Sequence, residues 1–191
     1  SRQNSIDNFP SLETEILNKS ILRLISPDKY PGKAGNYNTP IEVDSVIGAC
    51  MMVRKKAIDE AGCLDEDYFI FLEETDWCFR MHKKGWKVYH VPDSRVFHLS
   101  GHSKKKAPGE SQIEYYKSLY KFFSKNKDPV SCLTLRILKP CKLLINLLLN
   151  ILGNLITLFQ NEKLRSRLSK YYTLLMWHFL LCLDSMGIQK K

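Results

Sequence analysis

The residues able to do chemistry crowd into one stretch, Leu64 to Ser103, which reads LDEDYFIFLEETDWCFRMHKKGWKVYHVPDSRVFHLSGHS. Seven carboxylates fall between Asp65 and Asp93, and Tyr68, Phe69 and Phe71 are threaded among the six from Asp65 to Asp76. Burying carboxylates among aromatic rings is costly, so this pattern fits a polar cleft for a metal, a sugar or both better than a plain core. Glu73, Glu74 and Asp76 open a helical segment. Three acids there also suit the positive end of the helix dipole, but that account leaves the preceding Asp65-Glu66-Asp67-Tyr68 unexplained. A carboxylate held at such a helix start could act as a general base toward a hydroxyl.

His98 and His102 follow a strand-like segment. Their spacing would suit one helix face, but Ser100 and Gly101 argue against a helix, so the pair alone is a weak metal site. One histidine joined by carboxylates from elsewhere fits the surrounding polarity better. Lys104, Lys105 and Lys106 could meet a diphosphate or form a solvated loop. No P-loop and no GxGxxG pattern is present.

Several elements must position these groups. Val43 to Val53 is an apolar run that predicts a buried strand, in which Gly48 allows another group to approach closely. Arg54 to Ala61 predicts a short helix ended by Gly62. Glu73 to Lys84 predicts a helix ended by Gly85, with Asp76 and Arg80 spaced for an ion pair and Trp77 and Met81 for packing. Trp86 to Val91 and Arg95 to His98 read as short strands, and Ile113 to Phe123 as an amphipathic helix. Upstream, Ser11 predicts the cap of a short helix. The Pro/Gly/Asn-rich segment SPDKYPGKAGNYNTP reads as a surface loop, either a substrate lid or a plain connection.

The 191 residues suit one domain with an appendage, and 44% hydrophobic with 26% charged residues is ordinary for a globular chain. The net charge of +9 is uneven: residues 1–127 carry 20 basic and 17 acidic side chains (+3), and residues 128–191 carry 9 and 3 (+6). The basic excess therefore sits in the most apolar part, which favours an anionic membrane surface over nucleic acid. Six cysteines without a CxxC pair exclude a common zinc site. Cys50, Cys63 and Cys78 are expected to be buried, in a reducing compartment. Leu143 to Phe159 is a 17-residue apolar run, short of the roughly 20 needed to span a bilayer. Asn146, Asn150 and Asn154 fall on one of its faces, as in an interfacial helix or one packed on a partner. With a second apolar run from Tyr171 to Leu183, two helices lying in or on a bilayer are expected; a soluble hairpin is the alternative.

The ordered segments VIGACMMVRK (46–55), GCLDEDYF (62–69), EETDWCFR (73–80), GWKV (85–88), Pro92 and HLSGHS (98–103) resemble the C-terminal half of family 2 glycosyltransferases. The likeness is greatest to bacterial rhamnosyltransferase-type members, and it covers roughly residues 1–125. The resemblance implies an α/β fold, the C-terminal part of a GT-A nucleotide-diphospho-sugar transferase, followed by apolar helices. It implies inverting transfer of a sugar from a nucleotide-diphospho-sugar donor to a glycan or lipid-linked acceptor hydroxyl. Glu74 would be the base, Asp being commoner at that position. Asp65, Glu66, Glu73, Asp76 and Arg80 would shape the acceptor site. His98 would bind a divalent ion, Mg or Mn.

The family's Asp-x-Asp motif and its nucleotide-binding strands are not in these residues. The expectation is therefore an acceptor-side half over residues 1–127 and a basic, membrane-associated helical tail over 128–191. It would work at the cytoplasmic face of the bacterial inner membrane, with a separate chain as one source of the missing half and with no transfer by this chain alone. A non-catalytic, membrane-associated binding module is the alternative. No nucleic-acid partner is expected.

Overall fold

The computed structural model describes residues 5–27, 29–30, 37–98 and 108–180. It is a mixed α/β structure, mostly helical, with a few short strands, and it divides into two compact units, Ser1–Ser100 and Gly101–Lys191.

In the first unit, β1 (Ile6–Asp7) leads into α1 (Leu12–Ile16) and α2 (Lys19–Ile25). Ser11 caps α1 as expected: its hydroxyl accepts the Thr14 N–H, while the Thr14 hydroxyl accepts the Ser11 N–H. Two short strands follow, β2 (Ile41–Val43) and β3 (Ser45–Val46), then α3 (Lys55–Ala61), α4 (Glu73–Lys83) and β4 (Val88–His90). β1 pairs antiparallel with β3, and β2 with β4, so the described residues of this unit form two two-stranded ladders.

The single strand expected from Val43 to Val53 is thus broken, because the chain changes ladder partner at Asp44. That side chain accepts the Phe9 N–H at 3.0 Å and the Asn8 amide at 3.3 Å, which ties the turn before α1 to the junction. Beyond Ile47 the chain leaves the ladder, and Gly48, Ala49 and Cys50 are exposed. Cys50 and Cys63 are exposed, against expectation, since each lies in a connecting segment; Cys78, on the inner face of α4, is buried. Arg95 to His98 forms no strand and lies exposed. Gly62 and Gly85, at φ +79° and +82°, end α3 and α4 as their positions predict.

The second unit comprises α5 (Pro108–Asn126), α6 (Pro129–Ile156) and α7 (Glu162–Phe179), which pack on one another. Ile113, Leu119, Phe122, Leu135, Leu174 and Trp177 form its core. Asp128 accepts the Ser131 N–H at 2.9 Å and Pro129 occupies the first turn, so the Asp128-Pro129 pair caps α6. Helix α5 therefore packs with the two tail helices. Among the described residues no helix is long and apolar enough to cross a membrane.

The polarity of α6 runs opposite to an interfacial helix with its amides toward water. Asn154 is fully buried and Asn146 and Asn150 are half-buried, while the Leu and Ile side chains on the other side are exposed. The Asn150 and Asn154 amides donate to the carbonyls of Asn146 and Asn150, at 2.8 and 2.7 Å. Gly153 lets α7 approach closely, since a Cβ there would lie 3.4 Å from Leu164 Cδ1.

Candidate active site

The site forms where the start of α4 meets the end of β3. Phe71 and Leu72, immediately before α4, hold left-handed backbone angles at φ 67° and 65°. Side chains disfavour this region by about 1–2 kcal/mol per residue, and such strain gathers at functional sites. Leu72 offers no side-chain cap. The four residues that follow, Glu73-Glu74-Thr75-Asp76, then separate into two kinds of carboxylate.

Asp76 is fully engaged. One oxygen accepts Arg80 Nε at 2.8 Å and the other accepts the Tyr68 hydroxyl at 3.3 Å, with Asp76 almost wholly buried. Burial pushes the Tyr68 hydroxyl well above its ordinary range, and the Asp76 charge adds to the effect. Arg80 carries the tie further: Nη1 donates to the Ala61 carbonyl and Nη2 to that of Cys63 at 2.8 Å. Trp77 Nε1 donates to the Gly62 carbonyl at 2.7 Å. Residues 61–68 are thereby fastened to α4, and the ion pair that the i,i+4 spacing predicts is present.

Glu74 is held at one oxygen only. Its Oε1 accepts the Gly48 N–H at 3.4 Å, while Oε2 is buried with no hydrogen-bond partner. Burial pushes the Glu74 carboxyl above the ordinary carboxylate range. Its own backbone N–H and that of Gly48 pull it back in part, while the charges of Glu73 and Asp7 push it further up. Glu73 likewise keeps one buried oxygen without a partner. Two adjacent carboxylates with spare acceptor capacity, one of enhanced basicity, can take a proton from an incoming hydroxyl.

The other predicted residues are dispersed. Asp65 turns its own loop, accepting the Asp67 N–H at 3.0 Å, and Glu66 is exposed. His98 is exposed. His102 and Lys104, Lys105 and Lys106 lie outside the described residues. Among the described residues no three His, Cys, Asp or Glu side chains gather to hold a metal, so these residues do not by themselves fit a metal centre.

Sequence reading singled out neither Asp7 nor His82. Asp7 reaches Glu74 only through the β1–β3 pairing, which no local pattern announces. His82 continues the Glu74–Cys78 stripe along α4 at a spacing of four, a signal present in the sequence. It stands edge-on to Phe9 at 5.1 Å, and its Nε2 is buried without a partner.

Comparison with characterised proteins gives this geometry a chemical context. The chain is 35% identical over 77 residues to an N-acetylglucosaminyl-diphospho-decaprenol L-rhamnosyltransferase of Mycobacterium tuberculosis, covering 40% of this chain and 25% of that enzyme. It is 25% identical over 123 residues to rhamnosyltransferase WbbL of Escherichia coli K12, covering 64% of this chain and 45% of WbbL. It is 33% identical over 63 residues to the dTDP-rhamnosyl transferase RfbF of Shigella flexneri, covering 33% of this chain and 21% of RfbF. These three relatives are rhamnosyltransferases. The matched stretches span less than half the length of each. No family model matches the chain, and no solved structure does.

Proposed function

We propose that this chain carries the acceptor-side half of an inverting, family 2 glycosyltransferase of GT-A fold, acting in cell-surface polysaccharide synthesis at the cytoplasmic face of the bacterial inner membrane. One observation carries the reading: Glu74, pinned by Gly48 at one oxygen, keeps a buried second oxygen free at a strained helix start. The donor would be a nucleotide-diphospho-sugar, with dTDP-rhamnose the first to try. The acceptor would be a glycan or a lipid-linked sugar such as an N-acetylglucosaminyl-diphospho-prenol.

In this mechanism Glu74 removes the proton of the acceptor hydroxyl. The hydroxyl oxygen attacks the anomeric carbon from the face opposite the leaving group. The bond to the nucleotide diphosphate breaks, and the diphosphate leaves with the electron pair. Burial raises the basicity of Glu74, which suits it to this proton transfer. Glu73, Asp65 and Glu66 would face the acceptor. Asp76 and Arg80 serve it by fixing residues 61–68 against α4. His98 would contribute one ligand to a divalent ion (Mg or Mn) whose other ligands come from outside the described residues; no step above runs through that ion. Turnover would need a donor-binding segment in addition to these residues, on this or a separate chain.

Transfer of labelled rhamnose from dTDP-rhamnose to an N-acetylglucosaminyl-diphospho-prenol, by membranes expressing the whole gene, tests the reading. Glu74→Gln should lower turnover by about 10²–10⁴-fold while donor binding persists. Retained turnover removes Glu74 as the base, and transfer by the purified 191-residue chain alone removes the half-site reading.

A further inference from the structure

Helix α6 turns its amides inward and its aliphatic side chains outward. Leu133, Ile137, Leu144, Leu148, Leu152 and Leu155 are all exposed, from 45% to 60%. At 3.6 residues per turn they fall within an arc of about 100°. The opposite side, Leu135, Lys139, Leu143 and Asn154, is buried. The 28-residue helix therefore carries an aliphatic stripe running most of its length, about 42 Å. An exposed apolar surface of this extent marks an interaction site.

The stripe continues into the turn between α6 and α7. Leu158 and Phe159 hold left-handed backbone angles, φ 48° and 60°, and both are exposed, at 75% and 45%. The turn is closed by the Phe159 N–H donating to the Asn154 carbonyl at 2.8 Å, the long bond of a Schellman ending. Glycine is the usual residue at such an ending. Here Leu158 bears the backbone strain, and its side chain gains no cover from the fold.

Charge identifies the occupant. No Asp or Glu occurs from Pro129 to Asn161, and residues 128–191 carry 9 basic and 3 acidic side chains, a net +6. Lys163 and Arg167 are exposed on one face of the start of α7, while Arg165, on the other face, lies 4.0 Å from Glu162. A second copy of the chain would bring the same positive charge against itself, whereas an anionic lipid surface would neutralise it. With no described helix able to cross a bilayer, the stripe suits the boundary between headgroups and acyl chains.

We propose that α6 lies along an anionic bilayer on its Leu133–Leu155 stripe. Leu158 and Phe159 enter the acyl boundary, and Lys163 and Arg167, four residues apart on one face of α7, meet lipid phosphates. The buried asparagines keep the opposite side of α6 against α7. This assignment is independent of the transfer chemistry, since none of its residues belongs to the candidate active site.

Co-sedimentation of the 191-residue chain with phosphatidylcholine vesicles, with and without phosphatidylglycerol, tests it. Binding should require phosphatidylglycerol and weaken with salt. Leu148→Asp/Leu152→Asp should abolish it. Lys163→Gln/Arg167→Gln should weaken it by about 30-fold. All four positions are exposed, and circular dichroism of each variant verifies that the helices persist. Equal binding to neutral vesicles, no binding by the wild type, or undiminished binding by both variants would overturn the proposal. So would a wild-type dimer in light scattering that Leu148→Asp/Leu152→Asp splits, since a second copy would then occupy the stripe.

Discussion

The Gly48 N–H donates to Glu74 Oε1 at 3.4 Å, joining two residues 26 positions apart in the chain. A Cβ built on Gly48 would lie 3.5 Å from Glu74 Cβ and 3.7 Å from its Cδ. The glycine thus donates a hydrogen bond and leaves room beside the carboxylate for no more than a methyl group. Gly48→Ala makes ordinary van der Waals contact and should retain most activity. Gly48→Val must displace Glu74, and should lower kcat by about 10-fold or more while leaving thermal stability within a few degrees. Steady-state kinetics on the two variants, with melting curves alongside, check this. Equal kcat values in both would remove Gly48 as a positioning group.

Glu74 should oppose stability while supporting turnover. Its folded-state pKa lies above the ordinary 4.5, so the native chain holds this proton more tightly than the unfolded chain does. The contribution of Glu74 to stability is therefore greatest at acid pH and declines as pH rises through and beyond 4.5. At neutral pH the ionised group is a net cost, and Glu74→Gln should melt a few degrees higher than the wild type. Melting temperature against pH should show the variant's advantage shrinking as pH falls. A lower melting temperature for the variant at neutral pH would contradict the buried, half-satisfied carboxylate.

Asp76 and Arg80 should behave as a structural pair. The Asp76 side chain is 2% exposed and that of Arg80 is 26% exposed. Removing Arg80 leaves a buried carboxylate uncompensated and frees the Ala61 and Cys63 carbonyls. Arg80→Ala should cost about 3–5 kcal/mol in urea denaturation. The Asp76→Asn/Arg80→Ala double variant should cost less than the sum of the singles. Additive losses would mean that the two side chains do not depend on each other.

His178 should make the helical unit acid-sensitive. Its Nδ1–H donates to the Leu174 carbonyl at 2.7 Å, so Nε2 of the neutral ring accepts the Tyr120 hydroxyl at 2.8 Å. Burial holds the imidazole below its ordinary 6.5, the Leu174 carbonyl opposes the shift, and the Lys139 charge reinforces it. The unfolded chain therefore binds the proton more readily, and stability is lost as pH falls below about 6.5. Amide exchange in α7 should quicken over that range, and His178→Gln should flatten the profile.

The strain at Leu158 should be separable from the fold. Leu158→Gly relieves a left-handed leucine against the entropy cost of glycine, a net gain of roughly 0.5–1 kcal/mol. The same change removes an apolar side chain from the proposed bilayer contact. Denaturation midpoint and vesicle binding should therefore move in opposite directions.

Local patterns were legible wherever the physics is local. Ser11, Gly62 and Gly85 mark helix boundaries through hydrogen-bond and backbone preferences that need no distant partner. Glu73 to Asp76 announced the start of α4, and the Asp76–Arg80 spacing announced their ion pair. Val43 to Val53 read as one strand because it is mostly apolar, Asp44 and Ser45 apart. Its division at Asp44 depends on hydrogen bonds from Asn8 and Phe9, which the run itself does not contain.

By itself the sequence determined which side chains are chemically competent: the acids from Asp65 to Asp76, the helix that bears Glu74, and the basic, leucine-rich tail. Tertiary structure decided how each is used. Asp76 and Glu74 sit two residues apart with similar chemistry, yet one is saturated by Arg80 and Tyr68 while the other keeps a free oxygen beside Gly48. The asparagine stripe of α6 was visible as a period of four, but packing on α7 turned it inward and left the leucines outside. Periodicity groups residues on one face of a helix; only the contacts made by that face decide whether it meets protein, water or lipid.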